Sequence, residues 1–194
     1  MFFCILFLGD DYNRRKKKRK RETMESVLVV LRGNSGSGKT TIAKSLQEKL
    51  GARTMLISQD VIRREILKVR DTENNPSVEL IRQMAEYGKT VSPVVIIEGI
   101  LVNRRYQSML FSLIESFQGN ALVYYFDLSF SETVKRHKTK PNKEEFGEEQ
   151  LQKWWNEKDF LGVTNEVLLT DHQKKENIIK QILGDLAVYT KIND

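Results

Sequence analysis

Gly33-Asn34-Ser35-Gly36-Ser37-Gly38-Lys39-Thr40 matches G-x-x-x-x-G-K-[ST] at every fixed position. The apolar run Val27 to Leu31 just before it reads as a short buried strand. Thr40 to Leu50 just after it reads as a helix, with Ile42, Ala43, Leu46 and Leu50 inward and Gly51 at its stop. A strand, a glycine-rich loop and a helix in that order are the context the pattern needs to be a phosphate cradle. Glycine tolerates backbone angles other residues resist, so successive N–H groups can converge on an anion at the positive end of the helix. On this reading Gly33 to Thr40, with Thr41, bind a nucleotide. Lys39 reaches the β- and γ-phosphates, and the Thr40 hydroxyl ligates Mg²⁺. The plain alternative, a glycine-rich turn with a chance lysine, leaves the flanking strand and helix unexplained.

At 194 residues the chain suits one domain, with about 70% of its unfolded surface buried on folding. No repeat is visible, and no apolar stretch approaches the ~20 residues that span a bilayer, so a soluble protein is expected. The net charge of +6 is concentrated at one end. Residues 1–23 carry eight basic and three acidic side chains, whereas the chain from Met24 onward carries 24 basic and 23 acidic, so the body is nearly neutral and nucleic acid is not expected as its partner. Cys4 is the only cysteine, which rules out a disulfide framework or cysteine zinc site within one chain and fits a reducing cytoplasm. The N-terminus lacks signal-peptide order, because its basic run follows the apolar stretch Phe2 to Leu8 instead of preceding it.

The basic octet Arg14 to Arg21 has two readings. It is a tether for nucleic acid or anionic lipid, or it is a purine-rich ribosome-binding segment read in frame, with Lys20-Arg21-Glu22-Thr23 running into a start at Met24. The second is preferred, making residues 1–23 an extension to a single domain of 24–194. A chain beginning at Met24 is then expected to match the full chain in melting temperature and activity, and a large fall in either would overturn that reading.

Further along, the pattern alternates. Thr54 to Ser58 reads as a strand ending at Gln59-Asp60, followed by a helical pattern from Val61 to about Val69. A polar interruption from Asp71 to Pro76 precedes a helix over about Val78 to Lys89. Val94 to Ile97 is the strongest buried strand, Tyr106 to Phe117 a helix, and Leu122 to Phe126 a strand. A helix carrying Arg136 follows Ser131, another spans about Glu149 to Phe160, and a short strand (Val167 to Leu169) and a helix (about Lys174 to Val188) close the chain. Strands separated by helices predict a parallel sheet covered on both faces. Ligands bind such sheets at the carboxyl ends of the strands, where this sequence places the loop and three carboxylates, Asp60, Glu98 and Asp127.

Glu98, followed by Gly99, has the position of a Walker B carboxylate and can hold Mg²⁺ or hydrogen-bond an acceptor. Asp60, with Arg63 and Arg64 three and four residues on, can accept a hydroxyl proton while an arginine grips the acceptor; a helix N-cap with two surface arginines is the alternative. Lys135 to Lys140, with Lys143 beyond, has the composition of a cationic lid, and a continuing helix would present Arg136 and Lys140 to one ligand. His137 and His172 are isolated and receive no catalytic role. Trp154 and Trp155 cannot both face one core from a helix, so one is expected to pack inside and the other to touch the lid or a ligand, with core or interface packing the preferred explanation for each.

The phosphate loop, Ile57-Ser58-Gln59-Asp60 with Arg63-Arg64, Ile97-Glu98-Gly99, and the block from Arg136-His137 through Pro141, Phe146-Gly147 and Trp154-Trp155 to Lys158-Asp159 together resemble one group. It is the bacterial P-loop kinases often named uridine kinase or simply kinase, near the zeta-toxin and chloramphenicol phosphotransferase branch. The resemblance covers about Met24 to Leu186. It implies a three-layer α/β/α fold around five parallel strands in the order 2-3-1-4-5, with a helical, basic lid. It also implies ATP and Mg²⁺ as cofactors and a small-molecule hydroxyl as acceptor: a nucleoside such as uridine, an antibiotic-like alcohol or an amino-sugar nucleotide. Asp60 takes the place of the base or acceptor ligand, and Arg136 that of the arginine near adenine and phosphates. Lys140 departs from the second arginine many relatives carry, which weakens a bidentate clamp. Two other functions fit the residues. A 5′-end polynucleotide kinase would lose nucleic-acid affinity steeply with salt, and a regulatory ATPase acting on a protein partner would hydrolyse ATP whatever the acceptor.

Overall fold

Strand β1 (Val27–Gly33) lies at the centre of a five-stranded sheet with β2 (Thr54–Ser58) and β3 (Val94–Gly99) on one side and β4 (Ala121–Asp127) and β5 (Glu166–Thr170) on the other. Every pairing is parallel and the order is β2-β3-β1-β4-β5, as the resemblance implies. The structure, a computed structural model, describes residues 25–139 and 147–190. The basic octet and the proposed start at Met24 lie outside the described residues, as do Lys140 and Lys143 of the expected lid.

The two central strands β1 and β3 are buried along their whole length because both faces of the sheet are covered, whereas the edge strands β2 and β5 are only partly buried. Leu28 and Val30 of β1, with Val95 and Ile97 of β3, meet Ile81 and Ala85 of α3 (Ser77–Val91) and Tyr106, Leu110 and Leu113 of α4 (Asn103–Ser116). Val29 and Leu31 point the other way with Ile96 and Phe126. They pack on Ile42, Ala43 and Leu46 of α1 (Lys39–Leu50) and on Ile178, Ile182 and Leu186 of α7 (Lys175–Thr190). Each such fully buried aliphatic side chain contributes about 1.5–3 kcal/mol through removal from water. Among the described residues no helix is long and apolar enough to cross a membrane.

Three elements differ from expectation. β1 extends through Arg32 to Gly33, so a charged residue enters the strand. The segment after β2 is a short α2 (Gln59–Val61) that widens into a π-helical turn (Ile62–Ile66), not an α-helix reaching Val69. The helix expected over Glu149 to Phe160 ends early, as α6 (Glu148–Lys153). Its continuation is taken up by other bonds: the Asn156 N–H donates to Asn34 Oδ1 at 2.9 Å, and Asn156 O accepts from Asn34 Nδ2 at 2.8 Å.

Candidate active site

The loop between β1 and α1 is held open by its glycines. Gly36 has φ 85°, and a Cβ there would lie 2.8 Å from Thr133 O on α5 (Phe130–His137). Gly38 is the N-cap of α1 at φ 97° and offers no side-chain hydrogen bond to the helix. The amides of the first turn are therefore left for an incoming anion, at the end where the helix dipole favours one. Lys39 is buried, and its Nζ donates to Asn34 O (2.8 Å) and Ser37 Oγ (3.0 Å), which seats a cation inside the loop.

Glu98, 3% exposed, is the penultimate residue of β3, whose six residues are all buried. Thr40 Oγ1 donates to its Oε2 at 3.0 Å, and Ser58 Oγ to its Oε1 at 2.5 Å. A hydroxyl and a carboxylate thus meet where the loop enters α1, a hard-oxygen pair that suits Mg²⁺. Among the described residues there is no cluster of three or more histidine, cysteine or acidic side chains. A metal here would draw its other ligands from phosphate and water, as Mg²⁺ does.

Asp60 lies in a cavity of about 480 Å³ that Ser35, Arg63, Arg64 and Trp154 also line. Arg63 Nη2 approaches Asp60 Oδ1 at 2.9 Å and Arg64 Nε approaches the same oxygen at 3.4 Å. Both expected pairs form, so the carboxylate shares its charge with two cations. A π-helical turn is rare and is frequent at functional sites. Here it carries both arginines.

A second cavity, of about 710 Å³, opens on the other side of the loop, between Gly36 to Gly38, Arg136 and the segment from Asp171 to Glu176 after β5. Arg136 Nη1 donates to Ser37 O at 3.0 Å while its Nε is held by Glu132 at 2.7 Å, which brings it to the loop as expected. Ser129, the N-cap of α5, donates to Asp171 at 2.7 Å, so the helix start and the segment after β5 are fixed together. That segment had no signal in the sequence beyond its polarity. α5 stops at His137, where Thr139 Oγ1 donates to Arg136 O, so the described part of the chain does not continue the helix toward Lys140. Lys135 is turned outward toward Glu132 at 3.8 Å. Asp127 lines neither of these cavities; it shares a third with Asn34, Tyr125 and Lys158.

Arg32 is the largest element the sequence reading missed. Its side chain is fully buried, with Nη2 near Leu101 O, Asn103 Oδ1 and Asp159 Oδ2, each at 3.0 Å, and Nη1 at 3.2 Å from Glu166 Oε1. Its guanidinium also lies 5.5 Å from the Tyr125 ring centroid. Burial holds the Asp159 carboxyl above its ordinary value, partly offset by the Asn103 N–H and by Arg32. The clue was its period: Leu28, Val30 and Arg32 share a strand face, and a cation on a buried face needs carboxylates from elsewhere. Together with the Asn34 bonds, Arg32 fixes the chain after α6. Trp155 then packs edge-on to Phe130, at 5.3 Å and 84°, and Trp154 is left 42% exposed in the cavity with Asp60. Neither tryptophan enters the core: Trp155 is half-buried, and both leave from the turn that ends α6 and not from a helix.

The AAA domain family matches residues 28–157. The chain belongs to that family. Solved structures share its fold along nearly their whole length. A gluconokinase from Sinorhizobium meliloti 1021 is 21% identical, with a TM-score of 0.59 over 88% of this chain and 96% of that one. The APS kinase of Mycobacterium tuberculosis, in complex with AMPPNP and APS, is 14% identical, with a TM-score of 0.61 over 84% and 97%. A kinase described as putative, from Chloroflexus aurantiacus j-10-fl, is 13% identical, with a TM-score of 0.61 over 85% and 98%. The AAA domain of this chain thus has the architecture of P-loop kinases.

Proposed function

We propose that the protein is an ATP-dependent kinase that moves the γ-phosphoryl group to a hydroxyl of a small molecule. The observation that carries this reading is the placement of two cavities on either side of one phosphate loop, with Ser35 in the wall of one and Gly36 to Gly38 in the wall of the other. A phosphate seated on the loop is then reachable from both sides, as transfer between two bound molecules requires. An ATPase that acts on a protein partner needs no second small-molecule cavity there. The structural neighbours described as a gluconokinase and an APS kinase support the same class.

In this mechanism the loop amides and Lys39 hold the phosphates, and Arg136 stands beside them from the nucleotide side. Mg²⁺, when bound by Thr40 and Glu98, supplies charge neutralisation of the phosphate oxygens. The acceptor oxygen forms the new bond to the γ-phosphorus, and the bridging oxygen departs with its electron pair on ADP. The hydroxyl proton passes to Asp60, whose two ion pairs both fall on Oδ1. Arg63 and Arg64 hold Asp60 in place and face the acceptor.

Asp60→Asn keeps the size and one acceptor oxygen of the side chain, so it separates the charge from the geometry. The kcat/KM for the acceptor is expected to fall by roughly 10², the scale of general-base assistance, with nucleotide affinity within a few fold. Unchanged acceptor kinetics, with a matching loss in Glu98→Gln, would move the role to Glu98. The kinase reading itself is tested by offering a metabolite pool with γ-labelled ATP: transfer to a small molecule supports it, and hydrolysis indifferent to every acceptor removes it.

A further inference from the structure

The cavity that holds Asp60 is more cationic than a neutral alcohol requires. Six basic side chains line it, Arg63, Arg64, Arg70, Arg104, Arg105 and Lys153, against two carboxylates, Asp60 and Asp71. Both carboxylates are already engaged, Asp60 by Arg63 and Arg64, and Asp71 by Arg105 at 2.7 Å and the Tyr106 hydroxyl at 2.9 Å. Arg70, Arg104 and Lys153 are exposed and make no ion pair within 4 Å among the described residues, and only Arg104 feels a further carboxylate, Asp159, at longer range. This is not general basicity, since the chain from Met24 on is nearly neutral, with 24 basic and 23 acidic residues. The cations come from separate places: the π-helical turn, the segment after it, the start of α4 and the end of α6. Gathered around one concavity they repel one another, an arrangement that an entering anion relieves.

The type of cation is informative as well. Five of the six are arginines, whose planar fork matches the oxygens of a phosphate or sulfate better than the point charge of lysine does. Trp154 and the buried Val102 add an apolar wall to the same cavity. The ligand should therefore combine a charged oxyanion with a ring or hydrocarbon face.

We propose that the acceptor is a hydroxyl compound already carrying a phosphate or sulfate ester, and that Arg64, Arg70, Arg104 and Lys153 bind that ester while Asp60 stands at the hydroxyl. The proposal rests on the kinase reading for the identity of the anion's carrier. The ester keeps all its bonds; only the acceptor hydroxyl exchanges its proton for the γ-phosphoryl group. An uncharged analogue leaves the arginines unpaired, so selectivity against it comes from the same residues.

The chain's two tryptophans are adjacent, one in this cavity and the other against Phe130, so intrinsic fluorescence reports on the site. With the phosphate loop saturated by Mg²⁺ and a non-hydrolysable ATP analogue, sodium sulfate at constant ionic strength is expected to change that fluorescence saturably. Arg104→Gln should raise the half-saturating concentration about ten-fold or more. In parallel, sugars and nucleosides are offered as acceptors beside their own phosphate monoesters. The ester is expected to exceed its parent in kcat/KM by about ten-fold or more. In Arg104→Gln that margin should shrink through KM with kcat nearly unchanged, and Arg104→Lys should restore part of it. A fluorescence response no greater than with sodium chloride, or parents that serve as well as their esters, overturns the proposal. Sulfate binding without transfer to either member of any pair supports the anion site and removes the kinase reading instead.

Discussion

Lys39→Ala is expected to abolish most phosphoryl transfer while leaving a folded protein. The ammonium sits inside the loop on Asn34 O and Ser37 Oγ, placed before any substrate arrives. A cation preorganised in this way has no reorganisation to undergo as negative charge shifts between the phosphates, which makes it more effective than a solvent ion. Removing a single preorganised electrostatic group of this kind lowers turnover by about 10²–10³, or about 2.7–4 kcal/mol at the transition state. Lys39→Met serves as a companion, since it keeps the packing of the buried stem and removes only the charge. Single-turnover transfer and melting temperature together decide the outcome. A folded variant of either kind with wild-type turnover would take Lys39 out of the mechanism.

Arg32→Met is expected to have the largest effect on stability. The substitution fills much of the same volume but leaves Asp159 and Glu166 facing each other's charge without the guanidinium between them. Breaking a buried ion pair by removing one partner costs about 3–5 kcal/mol, because the remaining charge stays desolvated. That is a large fraction of the stability of an ordinary domain. The loss should depend on pH in a defined direction. The Asp159 carboxyl is already held above its ordinary value of 3.8 by burial, so its ionisation works against folding, and stability from this group is lost as pH rises through its folded value. Without Arg32 the folded value rises further. The gap between wild type and variant in urea denaturation is therefore expected to narrow as pH is lowered from neutral toward that range. A constant gap would assign the loss to packing alone.

The contrast between Lys39 and Arg32 shows what the sequence could disclose. Lys39 is announced by a local pattern, since the loop's chemistry depends on residues adjacent in the chain and the flanking strand and helix confirm it. The order of the strands followed from the same source, through the resemblance that the motif anchored. Arg32 depends on partners 127 and 134 positions away, and nothing local to Asp159 or Glu166 distinguishes them from surface acids. The early end of α6 was hidden for a related reason: its helical pattern is sound, but Asn34, 122 positions away, takes the backbone groups of Asn156. The arginine cavity shows the same limit. Arg63 and Arg64 could be paired with Asp60 by helical spacing, whereas Arg70, Arg104 and Lys153 converge on them only in three dimensions.

The hold of Asn34 on Asn156 reaches main chain only. A hook of that kind is indifferent to what the neighbouring side chains are, provided the strand of chain passes at the same height. The wall that carries Lys153 and Trp154 is thus a replaceable panel on a fixed frame. Different side chains can be set there by exchanging two residues, and the loop between β1 and α1 need not be rebuilt to receive them.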